Sequence, residues 1–156
     1  MILEREGTNV GTLCKIELVD VKKVASMPDA YQGQIIAGAS PTLVGGAAWE
    51  NIYFTQDTAH FVEATTDAQG AEVQQLLVKW KVPKDRAAAQ KYFQEAAAAR
   101  YVARLTDMNG TQVLAGTPAE GCRILRTMRD KGQNIRDSNH YLVELRLTRS
   151  EPAPII

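Results

Sequence analysis

His60 and His140, Cys14 and Cys122, and the acids Asp57, Glu63 and Asp67 are the residues whose types could do chemistry in this chain. A metal site asks for His, Cys or carboxylate ligands at short, characteristic spacings, and neither histidine has such a partner. No serine sits in a G-x-S-x-G elbow, and neither cysteine has a histidine close by in sequence to activate it. Asp57, Glu63 and Asp67 read as solvated strand acids, because hydrolytic carboxylates must face one another within a cleft. Both histidines read as edge or surface residues. The expectation is a protein that is not an enzyme and takes no cofactor and no metal.

The glycine-rich stretch TDMNGTQVLAGTPAEG, residues 106–121, raises the question of a phosphate loop. Such a loop runs from a strand through glycines into a helix whose N-terminus faces the anion. Here the flanking residues alternate as strands on both sides, and neither G-x-G-x-x-G nor G-x-x-x-x-G-K occurs. Asn109-Gly110 instead predicts a β-hairpin with a type I′ turn. Pairing Met108 with Thr111 would set Leu105 opposite Leu114 on one buried face.

Basic residues Arg123, Arg126, Arg129, Lys131 and Arg136 form the marked charge asymmetry. Alternation puts Arg123 and Arg129 on one face and Arg126 on the other. Arg123, Arg129, Lys131 and Arg136 fit a polyanion track or an acidic neighbour, although no aromatic residue is interleaved to stack on bases. The plainer reading is a strand edge protected by charge. Over the whole chain 18 basic residues balance 18 acidic ones, which argues against a general nucleic-acid coat. Contact with DNA is left open, with nothing in its support.

The elements that must carry these residues are mainly strands. Cys14, Ile16 and Leu18 alternate against Lys15 and Glu17; Leu76, Val78, Trp80 and Val82 share a face; Tyr141, Val143, Leu145 and Leu147 point inward against Glu144 and Arg146. WENIYFTQ and AHFVEATT read as further strands. KDRAAAQKYFQEAAAAR is the amphipathic helix, with Asp85 as cap and Ala89, Tyr92, Phe93, Ala96 and Ala97 as its apolar stripe. About eight strands and one helix in this order predict an α+β fold, mainly an antiparallel β sandwich or barrel with one amphipathic helix.

At 156 residues the chain fits a single domain, 1–156, with an N-terminal arm, a long loop over 25–48 and an extended C-terminal tail over 149–156. The loop sets the apolar pairs Ile35-Ile36 and Leu43-Val44 among Gly, Ala, Ser and Pro. A structureless loop of that length is uncommon in a compact domain. It either orders against another subunit or folds over its own core. The tail SEPAPII adds Pro152, Pro154, Ile155 and Ile156, for which the sheet offers no evident place. These eight residues are the candidate interface. The N-terminus, charged after three residues, is not expected to be a signal peptide. No apolar run approaches the roughly 18 residues of a membrane span. Both isolated thiols read as buried structural cysteines made in a reducing cytoplasm, with a disulfide between them left open.

The C-terminal half, residues 83–156, resembles a group of small phage and prophage structural proteins. A D-x-N-G hairpin running into L-x-G-T-P-x-E is matched by Asp107, Asn109, Gly110, Leu114, Gly116, Thr117, Pro118 and Glu120. A later D-x-N-x-Y leading to a PAP tail is matched by Asp137, Asn139, Tyr141, Pro152, Ala153 and Pro154. His140 stands where glycine is more common, and Ile155-Ile156 replaces an aromatic ending. The resemblance implies a tail or neck component of the tail-tube type: a homo-oligomeric ring or tube partnered by other virion proteins, built in the host bacterial cytoplasm. The alternative, from a different class, is a small β-barrel module binding a peptide, glycan or small ligand.

Overall fold

A computed structural model describes residues 12–28, 30–31, 34–35, 40–84, 86–134, 139–149, 153 and 155. In chain order the strands are β1 (Leu13–Asp20), β2 (Val24–Ser26), β3 (Ala30–Tyr31), β4 (Gln34–Ile35), β5 (Thr42–Leu43), β6 (Glu50–Asn51), β7 (His60–Ala68), β8 (Ala71–Pro83), β9 (Tyr101–Asp107), β10 (Gln112–Ala115), β11 (Arg123–Asp130) and β12 (His140–Arg149). The helix α1 (Ala87–Ala97) lies between β8 and β9.

Two four-stranded antiparallel sheets result, ordered β10-β9-β1-β6 and β11-β12-β8-β7. Neither closes on itself, so the architecture is a sandwich and not a barrel. The alternating runs explain its core. Ile16 and Leu18 of β1 and Leu105 of β9 meet Val78 and Trp80 of β8 and Tyr141, Val143 and Leu145 of β12, each at most 1% exposed. Burying a large side chain of this kind contributes about 1.5–3 kcal/mol, which is what holds two sheets face to face. Phe93 and Ala96 of α1 add to this core, Phe93 with its ring 5.7 Å from that of Tyr141. Ala97, expected on the same stripe, is exposed. Asp85 lies outside the described residues; the N-cap position is Arg86, whose side chain makes no capping bond.

Several strands depart from simple alternation, each for a local reason. A register shift between Leu13 and Lys15 turns Cys14 outward, so this thiol is exposed and only Cys122 is buried. Both cysteines are free. The run WENIYFTQ pairs over Glu50–Asn51 alone, because the chain then crosses between sheets: Ile52 N donates to Ile16 O, and Thr55 N to Lys81 O. The sheets also meet where Tyr101 and Cys122 exchange backbone hydrogen bonds of 3.0 and 2.7 Å. Gly121 must be small there, since a Cβ would fall 2.6 Å from Cβ of Arg100.

The predicted type I′ hairpin is corrected. Val113 faces Leu105 and Leu114 faces Arg104, one residue away from the expected register. Asp107 N donates to Thr111 O, and the Asp107 carboxylate accepts from Asn109 N and Thr111 N at 2.8 and 2.9 Å. Gly110 has φ +85° and Asn109 has no positive φ, which fits a three-residue loop with a left-handed glycine. A slip of one residue moves a side chain to the other face of its sheet. Leu114 therefore leaves Leu105 and joins Val19 and Val102 on the outer face.

That outer face carries a second, smaller core. Val21, Val24, Met27, Leu43 and Trp49 pack against Val19, Val102 and Leu114. Of the stretch expected as a loop, 25–48, Met27 and Leu43 belong to this cover; β2 pairs with β5 (Val24 opposite Leu43), and β3 pairs with β4 (Ala30 opposite Ile35).

Candidate functional site

Among the described residues, the expected interface residues stand on different elements. Leu43 is half-buried at the base of the 24–43 hairpin, beneath the smaller core, while its neighbour Val44 is 51% exposed. Ile35 pairs with Ala30 in the same hairpin. Ile155 is exposed yet tied down: it forms an antiparallel bridge with Val113, beside Ala153, whose N donates to a Glu63 carboxylate oxygen at 3.0 Å. The sandwich thus has a place for this part of the tail. Ile36, Pro152, Pro154, Ile156 and Arg136 lie outside the described residues, as does the N-terminal arm.

The basic series is divided by a β-bulge. Register shifts between Arg126 and Met128, so Arg123 lies opposite Arg146 while Arg129 lies opposite Tyr141. Residues opposite one another in a ladder share a face. Arg129 therefore joins Arg126 on the inner side of the sheet, and Arg123 stays on the outer side, contrary to the expected alternation. The Arg126 guanidinium sits 5.3 Å above the Tyr141 ring. Lys131 follows β11 and is exposed.

Of the histidines, His60 is exposed on β7, whereas His140 is buried at the start of β12. Among the described residues no three His, Cys, Asp or Glu side chains are grouped to hold a metal. Burial pushes the Cys122 thiol up to about 12, which leaves it an unreactive core residue. Glu144, expected to face outward, does so but is only 5% exposed, because Lys79 and Arg146 close over its carboxylate.

Three features escape simple alternation. The first is Glu17, 6% exposed, which accepts two hydrogen bonds from Arg104 at 2.8 and 3.0 Å and one ion pair from Lys15 at 2.9 Å. The Arg104 bonds hold its carboxyl below the usual value. The same guanidinium lies 4.6 Å above the Trp49 ring, clamping the residue just before β6 to β9. The second is an open groove of about 670 Å³, lined by Leu13, Cys14, Ile52, Tyr53, Phe54 and Met108 among others. Neither tryptophan lines it. The third is the sheet β11-β12-β8-β7: its outer strand β7 has no further strand beside it among the described residues, whereas β11 is flanked by α1 and, at Cys122, by Tyr101 of β9. Exposed strand composition signals the last; groove and clamp depend on contacts between distant segments.

No helix among the described residues is long and apolar enough to cross a membrane. Comparison with protein-family models, curated proteins and solved structures finds no match to this chain.

Proposed function

We propose that this protein is a structural subunit of a phage virion, assembling copy to copy into a ring or tube of the tail or the head-tail neck. The observation that carries the reading is the outer strand β7, which has no further strand beside it among the described residues. Unpaired strand edges are templates for another chain, and soluble monomers usually blunt or cover them. Here β7 is nine residues long and exposes an apolar side chain, Val62, at 39%. Val44, 51% exposed just after β5, supplies further apolar surface, and the turn pattern of residues 83–156 supplies the likeness to phage structural proteins. In this reading the work of the protein is assembly, not catalysis, and its other partners are virion proteins.

Negative-stain electron microscopy and sedimentation velocity across a wide concentration range test the proposal. Rings or tubes are expected as concentration rises. Featureless small particles throughout would overturn it.

The groove beside β1 favours a second reading, a module for a short peptide or small ligand. Titration calorimetry against a peptide and glycan panel would then show saturable binding that is lost in Tyr53→Ala.

A further inference from the structure

We infer that two copies of this chain join β7 to β7 in an antiparallel ladder about a two-fold axis at Ala64. The inference goes beyond the ring reading: it names the first contact between copies, and its test is separate.

Only one long edge is free for a partner. Among the described residues, β11 is flanked by α1, and Cys122 before it already bonds to Tyr101. Strand β6 has two residues; β10 has four, with Val113 bridged to Ile155. Strand β7 has nine, and it lacks the Lys, Pro or bulge that commonly protects an edge. Both of its acids are engaged within the copy, Glu63 by Ala153 N and Asp67 by Gly70 N, at 3.0 Å each. A ladder of any length between two copies therefore uses β7 twice. Such a contact is isologous and closes at two subunits, so a ring or tube is built from pairs.

The hairpin of β7 and β8 fixes which backbone groups face outward. Ala68 pairs with Ala71 across Gln69-Gly70, both at positive φ, as in a two-residue type I′ loop. The pair that closes such a loop exchanges two hydrogen bonds, and bonded pairs alternate along an antiparallel ladder. His60, Val62, Ala64 and Thr66 therefore bond to β8, while Phe61, Glu63, Thr65 and Asp67 present N–H and C=O to the free side. Ala59, next in the same row, shows the phase: its O accepts from Leu13 N at 3.3 Å and from Thr12 Oγ1 at 2.7 Å. The free row runs from Phe61 to Asp67 and is symmetric about Ala64.

A two-fold axis normal to the sheet sets two β7 strands antiparallel and keeps their inner faces on one side. Outward groups must meet outward groups, so the two strands slide only in steps of two residues. Centred on Glu63, that acid opposes its own copy; centred on Thr65, Glu63 opposes Asp67 twice. Like charges directly opposite one another oppose a ladder. Centred on Val62 or Thr66, half of the row stays unpaired. Centred on Ala64, all four outward residues pair, Phe61 with Asp67 and Glu63 with Thr65, and no acid opposes an acid. Val62, 39% exposed, then faces Thr66 on the outer side, and the two sheets become one of eight strands.

The experiment uses the full chain with Cys14→Ser, which removes the exposed thiol. Ala64→Cys, Val62→Cys and Thr66→Cys are made singly, the last two also together, and each protein is mildly oxidised. Facing residues of a non-hydrogen-bonded pair have Cα atoms about 4.5 Å apart, within disulfide reach. Ala64→Cys is expected to give a covalent dimer and nothing larger. Val62→Cys and Thr66→Cys give none alone and a dimer when combined. Sedimentation equilibrium supplies an independent readout at Thr65, an exposed residue. Thr65→Lys meets Glu63 of the second copy at two places and lowers the dimer Kd about tenfold, whereas Thr65→Glu raises it about tenfold. Circular dichroism melts establish that each variant is folded. Wild-type monomers at every concentration would overturn the pairing. Rings that neither cross-link through Ala64→Cys nor respond at Thr65 would overturn it too, while leaving ring assembly standing. Dimers that cross-link through Ala64→Cys but never grow into rings would uphold the pairing and overturn the ring reading.

Discussion

At the scale of single residues, the best-defined polar feature is the Glu17–Arg104–Trp49 clamp. Two forked hydrogen bonds fix the guanidinium in a plane, and that plane rests on the indole. A lysine at 104 could supply the charge but neither the fork nor the flat face. Glu17 has its folded pKa lowered from 4.5, chiefly by the Arg104 hydrogen bond. Its contribution is therefore complete above the unfolded value and is lost as pH falls through the folded one. Glu17→Gln should cost about 2 kcal/mol near neutral pH, the scale of a hydrogen-bonded charge pair. It should also flatten the acid limb of melting temperature against pH. A variant whose acid limb matches the wild type would show that the clamp does not contribute to stability.

At the scale of elements, the 106–121 hairpin shows how a turn sets a sheet. Asn109-Gly110 correctly signals the hairpin, but the Asp107 carboxylate holds two backbone N–H groups and lengthens the loop to three residues. The register moves by one, and Leu114 goes to the outer face. Without that move the smaller core would lack one of its three buried members. Asp107→Ala should lower stability by about 1 kcal/mol, as loss of a side-chain cap does, while amide exchange across β9 and β10 rises more than elsewhere. Unchanged exchange in these strands would show that the carboxylate does not set the turn. The β11 bulge is the parallel case: alternation gives the strand, but the one extra residue at Thr127 regroups the arginines. Bulges and loop lengths are settled by competition among neighbouring hydrogen bonds, so a pattern of period two does not reveal them.

At the scale of the whole molecule, the C-terminal tail connects two edges. Ala153 reaches Glu63 on β7, and Ile155 bridges Val113 on β10, so the tail runs from one sheet to the other. Removing residues 151–156 should cost about 2 kcal/mol, or ~4–8 °C in melting temperature for a chain of this size. A melt identical to that of the full chain would show that the tail contributes nothing to the stability of the fold.

The sequence by itself determined the long strands β1, β7, β8, β9, β11 and β12 and the helix. Leu76, Val78, Trp80 and Val82, and Tyr141, Val143, Leu145 and Leu147, have only one way to hide their apolar faces, and both sets line the core. Local periodicity is enough for that, because burial drives it residue by residue. Why Glu17 is buried, where Cys14 points and which strands stand at the edges were decided by the tertiary structure alone. Each depends on a partner far along the chain: Arg104 for Glu17, the Leu13/Lys15 register shift against β9 for Cys14, and the order of strands within each sheet for the edges. Such contacts follow from the packing of two sheets and a helix into one volume, and no local run of residues encodes them.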